Sequence, residues 1–266
     1  MKKHKNAQQM LLAADIGNST ITVGYFRRNK LVVHRMPTHP LRKPASYCAE
    51  MDGYLKEKLV AKRNFPCIIS SVVPGHTGVF RKALSLLTGT AEKKILLVDS
   101  GMKTGLVYRV GLPERLGTDR IANAAAAWAL CRRPVAVVDF GTATTITVVG
   151  RAAVLLGGAI LPGVGMMSRM LAQGTSRLPQ VPLELPAAAL GTDTVSSIQA
   201  GIFYGTAGAV ERILEGIRSE TGTALKVLVT GGHGPAMSAC LRVRHDLRNE
   251  LTLEGLRILY ENNRPA

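Results

Sequence analysis

Two short stretches of this chain end an apolar run on an aspartate, place a glycine two residues later and continue into hydroxyl side chains. The first is Asp15-Ile16-Gly17-Asn18-Ser19-Thr20, between the apolar runs 11–14 and 21–26. Runs of that length bounded by turn residues predict the strands of a hairpin. Gly17 has no side chain, so backbone and ligand can approach closely there. The amides of residues 17–20, with the hydroxyls of Ser19 and Thr20, can cup a phosphate. Asp15 adds an oxygen ligand for a hydrated Mg2+. Taken alone, the same residues also make an ordinary β-turn. The second stretch, Asp139-Phe140-Gly141-Thr142, follows the buried run 135–138 and leads into a β-branched strand. The repeat predicts two lobes, each offering a phosphate loop to one cleft.

This spaced pair resembles the superfamily of acetate and sugar kinases, actin and the heat-shock chaperone ATPases. That resemblance implies an α/β fold with two ribonuclease H-like lobes and a nucleotide cleft between them.

A third constellation is Gly117-Thr118-Asp119-Arg120, at the start of an alanine-rich helix predicted over 121–131. An aspartate there is an N-cap or a general base, with Arg120 beside it to hold an anionic substrate. Composition leaves both readings open. Gly231 and Gly232 end an apolar strand, where bare backbone can lie flat on an adenine or ribose, or simply turn. The six histidines form no metal-spaced cluster, and no local Ser-His-Asp signature occurs. Met166, Met167 and Met170 read as core or interface packing.

The elements that must position these groups alternate. Strands are predicted at 31–35, 66–74 (ending in a turn) and 94–99, with helices at 45–61 and 79–87. Arg132, Arg133 and Pro134 end the helix after Asp119, and the lobe boundary is placed there. The second half continues with a strand at 153–160 and a helix at 166–173. A proline-marked loop follows, then residues 191–201 lead into a helix running to about 218, a strand over 226–234 that ends in a glycine turn, and a helix at 253–262. The expected lobes are 10–133 and 134–266, with the last helix packing back on the first lobe.

A chain of 266 residues, 46% hydrophobic and 20% charged, can bury one large core or two small ones. Cys48, Cys67, Cys131 and Cys240 lie far apart, which fits free thiols in a reducing cytoplasm. Residues 1–9 read as a disordered extension. The apolar run behind them is too short for a signal peptide. Stretch 152–168 is too short and too broken by glycine and proline to span a membrane. The net charge of +16 draws anions at long range. The basic residues include the pairs Arg27-Arg28, Arg42-Lys43, Lys62-Arg63, Lys93-Lys94 and Arg132-Arg133, without interleaved aromatics. Nor is there helix-turn-helix or zinc-finger spacing, so a solvated basic surface is favoured over a specific nucleic-acid site.

Several further motifs narrow the family. They are Ser70-Ser-Val-Val-Pro74, Gly157-Gly-Ala-Ile-Leu-Pro-Gly163, Thr175-Ser-Arg-Leu-Pro179, Gly191-Thr-Asp-Thr194 with Gln199-Ala-Gly-Ile202, Thr230-Gly-Gly232 and Leu251-Thr-Leu-Glu-Gly-Leu256. With the three constellations above, in this order, the chain resembles the type III pantothenate kinases. The resemblance implies ATP-dependent phosphorylation of the primary hydroxyl of pantothenate, the first committed step towards coenzyme A. It implies that Asp15, Ile16, Gly17, Asn18, Ser19, Thr20, Ile21 and Thr22 form the ATP phosphate loop, with Thr142 contacting ATP from the second lobe. Asp139 would help bind a monovalent cation, K+ or NH4+, besides the Mg2+ that accompanies ATP. Gly117, Thr118, Asp119 and Arg120 would contact pantothenate, with Asp119 as the base and Thr194 as a further contact. A homodimer is implied, because in the family a partner subunit closes the pantothenate pocket. Three positions depart from the family pattern: residues 1–9 are extra, Val110 stands where a tyrosine is usual (Tyr108 lies two residues earlier), and Asp193 replaces a more usual asparagine.

Two other functions fit some of these features. One is a kinase-fold regulator that binds nucleic acid through its basic surface, since relatives of these kinases include proteins named as transcriptional activators. The other is a kinase for a different small alcohol. Asp15, Asp119, Arg120 and Asp139 together favour the enzyme.

Overall fold

A computed structural model describes residues 10–28, 30–58 and 65–264. The expected extension at 1–9, the end of the helix expected at 45–61 and the Lys62-Arg63 pair lie outside the described residues. In chain order the elements are β1 Met10–Ile16, β2 Thr20–Arg27, β3 Lys30–Pro37, α1 Pro44–Lys58, β4 Cys67–Ser71, α2 Pro74–Thr88, β5 Leu96–Leu97 and β6 Val107–Tyr108. Then come α3 Thr118–Cys131, β7 Val135–Phe140, β8 Ala143–Val149, β9 Val154–Pro162, α4 Val164–Gly174 and α5 Thr194–Thr221. The last are β10 Lys226–Thr230, α6 Gly234–Ser238, β11 Asp246–Leu247 and α7 Leu251–Asn263.

The chain forms two compact units. Unit 1 holds Met1–Thr104, Leu112–Ala122 and Thr252–Ala266; unit 2 holds Gly105–Gly111 and Asn123–Leu251. Unit 1 has a five-stranded sheet of order β3-β2-β1-β4-β5, with β2 antiparallel to β1 and β4 and β5 parallel additions. Unit 2 repeats that plan as β9-β8-β7-β10-β11, with β6 added beyond β9. A meander of three strands followed by two parallel crossover strands is the ribonuclease H-like arrangement, here present twice.

The central strands explain the sequence pattern. Every residue of β1 is buried except Asp15, and every residue of β7 except Asp139. A strand covered on both faces must be apolar throughout. The aspartate marks where each strand leaves the core for its turn. Around β1 the core gathers Leu12, Ile16, Tyr25, Tyr47, Met51 and Phe80; around β7 it gathers Val138, Phe140, Ile146, Phe203, Val210 and Leu214.

Helix ends follow local chemistry. In α2, Gly89 closes the helix in the left-handed conformation (φ 74°). In α5, Asp193 accepts from the amide of Ser196, and the Ser196 hydroxyl answers it, forming a capping box. Asp193 therefore does at this cap what an asparagine would do. The strand expected at 94–99 is reduced to β5, because residues 92–94 form a 3-10 turn and only Leu96 and Leu97 pair with β4. In unit 1, α7 packs its backbone on the first turn of α3. A Cβ on Gly255 would lie 2.0 Å from the carbonyl oxygen of Ala122, so only glycine permits that approach.

Candidate active site

In unit 1 the β1–β2 turn is closed by the amide of Gly17 donating to the carbonyl of Thr20 at 3.0 Å. Asn18, Ser19 and Thr20 are exposed, and Gly17 is half-buried. The turn is pinned from behind by Thr38, which is fully buried. The Thr38 hydroxyl donates to the Gly17 carbonyl at 2.7 Å and its amide donates to the Ser19 carbonyl at 3.1 Å. The carbonyl of Thr38 in turn takes the ring nitrogen Nε2 of His76 at 2.8 Å. Two carbonyls of the loop are thus turned inward, and the exposed side is left to amides and hydroxyls. Sequence reasoning missed Thr38 and His76. Nothing local marked Thr38, and His76 stood only as one of six histidines without metal spacing.

Asp15 is held by a chain of hydroxyls. Ser70 Oγ donates to Asp15 Oδ1 at 2.8 Å. Ser70 and Thr118 hydroxyls lie 3.0 Å apart, and the Ser71 amide donates to Thr118 Oγ1 at 3.0 Å. A hydroxyl has one proton to give. Since Ser70 gives its proton to the carboxylate, Thr118 must donate to Ser70, and Ser71 N–H completes the chain. This links the predicted phosphate loop to residues 117–120.

Thr118 and Asp119 are the first two residues of α3, and the helix starts with the amide of Ile121 on the carbonyl of Gly117. Asp119 lies inside the helix, not at its cap. Its Oδ1 folds back to accept the amide of Arg120 at 2.8 Å. That fold requires Gly117, since a Cβ there would sit 2.4 Å from the same oxygen. Burial raises the Asp119 carboxyl above its ordinary range, with the Arg120 amide and charge opposing. A base pushed upward by desolvation binds its proton more firmly, which suits proton abstraction near neutral pH.

In unit 2 the β7–β8 turn is bracketed by bare backbone. Asp139 pairs across the hairpin with Thr145, and the Gly141 amide donates to the Ala143 carbonyl at 3.1 Å. A Cβ on Gly163 would lie 2.2 Å from the Thr142 carbonyl oxygen. A Cβ on Gly231 (φ 94°) would lie 2.4 Å from Asp139 Oδ1 and 2.6 Å from Phe140. The His233 amide also donates to the Phe140 carbonyl at 3.0 Å. Asn123, 1% exposed, donates its side-chain amide to Asp139 Oδ2 at 2.9 Å. Gly163 and Asn123 were not singled out from the sequence as parts of the site. Thr194 is exposed at the first turn of α5. Val110 lies near Gly157, 3.9 Å from where a Cβ would be.

The donor set limits what metal can bind. Among the described residues no three His, Cys, Asp or Glu side chains gather as a metal cage. Asp15 and Asp139 are single carboxylates beside glycine turns. Each by itself fits a cation shared with phosphate oxygens and water, as Mg2+ is usually held. Neither fits an all-protein site.

A model of the type III pantothenate kinase family matches residues 11–216. The chain is 38% identical over 262 residues to the type III pantothenate kinase of Anaeromyxobacter dehalogenans, covering 96% of this chain and 100% of that one. It is 34% identical over 257 residues to that of Dehalococcoides mccartyi (96% and 98%). Among solved structures it is similar to a protein of Campylobacter jejuni described as a Baf family transcriptional activator: TM-score 0.59, 20% identity, 95% of this chain and 98% of that one. It is also similar to the activator of the 2-hydroxyisocaproyl-CoA dehydratase from Clostridium difficile with bound ADPNP: TM-score 0.55, 9% identity, 95% and 94%. At these identities the structural likeness is one of fold.

Proposed function

This chain belongs to the type III pantothenate kinases; it phosphorylates pantothenate with ATP for coenzyme A synthesis, and we propose how its residues divide that work. Phosphoryl transfer asks for positioning and charge neutralisation more than covalent chemistry. Residues 15–22 take the phosphates of ATP through the turn that Thr38 pins open, and Thr142 contributes a second contact. Gly117, Thr118 and Arg120 receive pantothenate, with Thr194 as a further contact. Asp119 accepts the proton of the primary hydroxyl as the new P–O bond forms. Asp15 holds Mg2+ through water, and Asp139 holds K+ or NH4+; these cations neutralise the charge on the phosphates.

The observation that carries this reading is the hydroxyl chain from Thr118 through Ser70 to Asp15. It ties the segment carrying the base to the phosphate loop. A shift of one therefore reaches the other, as a transfer between two bound substrates requires.

We further propose that the protein works as a homodimer in the cytoplasm. Unit 2 exposes the apolar side chains of Ile160, Met170, Leu190, Val195 and Tyr204, which would gain from burial against a second copy. No described helix is long and apolar enough to cross a membrane. The basic charge is read as surface solvation, with no specific nucleic-acid partner.

The test is a coupled assay of purified protein with Mg2+-ATP and K+ over a panel of small alcohols, with products identified by mass. Formation of 4'-phosphopantothenate with pantothenate strongly preferred is expected. Equal turnover of unrelated alcohols would overturn the residue assignment for pantothenate. ADP release without a phosphorylated alcohol would overturn the assignment of Asp119.

A further inference from the structure

Unit 2 contains a cavity of about 390 Å3 lined by none of the residues assigned above to the kinase reaction. It is lined by Arg109, Arg151, Glu220, Thr221 and Thr223 over a floor that includes Leu156 and Leu225. Its place follows from the sheet. β8 begins at the turn after Asp139 and ends at Val149, beside Val135 at the start of β7. Gly150 follows Val149 and lines the cavity. Seven strand residues at roughly 3.3 Å each set the cavity about 20 Å from the Thr142 turn.

The chemistry of the walls is specific. Arg109 and Arg151 form no ion pair among the described residues, so two guanidinium forks are available to an anion. Thr221 spends its proton on the carbonyl of Ile217 at 2.7 Å, and Thr223 spends its own on the carbonyl of Thr221 at 3.0 Å. Both hydroxyl oxygens are left as acceptors. Glu220 is an acceptor too. The lining therefore offers cations to a negative charge, acceptors to an O–H or N–H donor, and apolar surface to carbon.

The backbone supplies an independent sign. Ala152 (φ 53°) and Ala153 (φ 60°) both lie in the left-handed region, directly after Arg151. Two successive non-glycine residues there are sterically strained, because Cβ crowds the carbonyl oxygen. The Gly150 amide closes this turn on the Val154 carbonyl at 2.7 Å. A Cβ on Gly150 would lie 2.9 Å from Leu156 Cδ1, so the turn and the floor are fitted to one another. Strain of this kind persists where surrounding structure fixes a conformation, and it clusters at ligand clamps. Arg132 and Arg133 precede β7 at the same end of the sheet and add to the positive field.

We propose that this cavity is a second ligand site, which takes a small organic anion bearing a hydroxyl or amide N–H. Its carboxylate or phosphate head meets Arg109 and Arg151, its donor meets Thr221, Thr223 or Glu220, and its carbon chain covers Leu156 and Leu225.

The experiment titrates the full-length protein, with its nucleotide site saturated by a non-hydrolysable ATP analogue, with 3-hydroxybutyrate and separately with glycerol 3-phosphate. Amide NMR shifts and calorimetry are the readouts. Saturable shifts at Gly150, Arg151, Thr221 and Thr223 are expected with one or both probes, and the stronger probe identifies the head. Binding should weaken at least tenfold in Arg109→Ala/Arg151→Ala. It should weaken severalfold in Arg151→Gln, which keeps the stem should the double variant fold poorly. No saturable binding of either probe overturns the proposal, as does equal binding by wild type and Arg151→Gln. Inorganic phosphate binding as tightly as glycerol 3-phosphate would reduce the cavity to part of a general basic surface and overturn it equally.

Discussion

Asn123 gives its side-chain amide to the carboxylate of Asp139 across 2.9 Å, from a position that is almost wholly buried. The bond fixes which way the second aspartate faces, while Gly231 leaves room for its other oxygen. Asn123→Leu keeps the volume and removes the donor. A loss of about 1–3 kcal/mol of unfolding free energy is expected, the usual cost of stranding a buried polar partner. Asn123→Asp should cost more at neutral pH, because two carboxylates then meet, and part of that loss should return in acid as one is protonated. Urea unfolding at two pH values measures both. Unchanged stability in Asn123→Leu would show that the bond holds nothing in place.

Asp119, proposed as the base, carries a stability penalty. Burial raises its carboxyl, so the folded protein binds this proton more tightly than the unfolded chain does. The contribution to stability is therefore full below the unfolded value near pH 4 and is lost as pH rises through the folded value. Asp119→Asn removes that loss. At pH 7 the variant should unfold at the same temperature as wild type or higher, while turnover falls on the order of 10²-fold or more. The acid limb of wild-type turnover should lie above the ordinary carboxylate range. A variant with near-normal turnover would remove Asp119 from the chemistry.

The parts of this molecule legible in its sequence are those written in short-range pattern. Asp15 and Asp139 stand out because each interrupts an apolar run, and that is what the end of a doubly covered strand looks like. The helix expected at 121–131, which begins three residues earlier at Thr118, and the glycine turn at Gly231 are equally local. What escaped depends on partners far along the chain. Ser70 reaches Asp15 across 55 residues of sequence and Thr38 reaches Gly17 across 21. A serine or threonine in a strand end gives no hint of which hydroxyl or carbonyl it will meet. Gly163 reads as one more loop glycine until Thr142 is seen against it. The strand expected at 94–99 came out too long because an apolar run does not reveal how few of its residues pair with β4.

The assignment of a monovalent cation to Asp139 has its own test. A carboxylate facing a triphosphate at ~4 Å is repelled by roughly 4 kcal/mol per pair of unit charges at an effective dielectric near 20. A cation between them turns that repulsion into attraction. Activity should rise with K+ or NH4+, with Na+ a poor substitute. Asp139→Ala should lower activity and remove the response together. Full activity of wild type with Mg2+-ATP alone, or a K+ response that survives in Asp139→Ala, would contradict the assignment.

Thr118 provides the sharpest test of the link between the two halves of the reaction. Its hydroxyl receives the Ser71 amide and donates to Ser70, which donates to Asp15. Thr118→Val is nearly isosteric but takes away both bonds, leaving the Ser71 amide without its acceptor and Ser70 without its donor. Each lost bond costs about 1 kcal/mol, and the stranded groups cost more. Thr118→Ser keeps the oxygen and both bonds. If Thr118 positions Asp15 and the 117–120 segment together, Thr118→Val should raise KM for ATP as well as for pantothenate and lower kcat by about tenfold. Thr118→Ser should restore most of the loss in all three. A substrate contact alone would move KM for pantothenate and leave ATP untouched. A purely structural role would lower the thermal stability of Thr118→Val, spare Thr118→Ser, and leave both KM values unchanged. Measuring the two KM values, kcat and the melting temperature for both variants decides among these, and an effect confined to pantothenate would break the proposed coupling between base and phosphate loop.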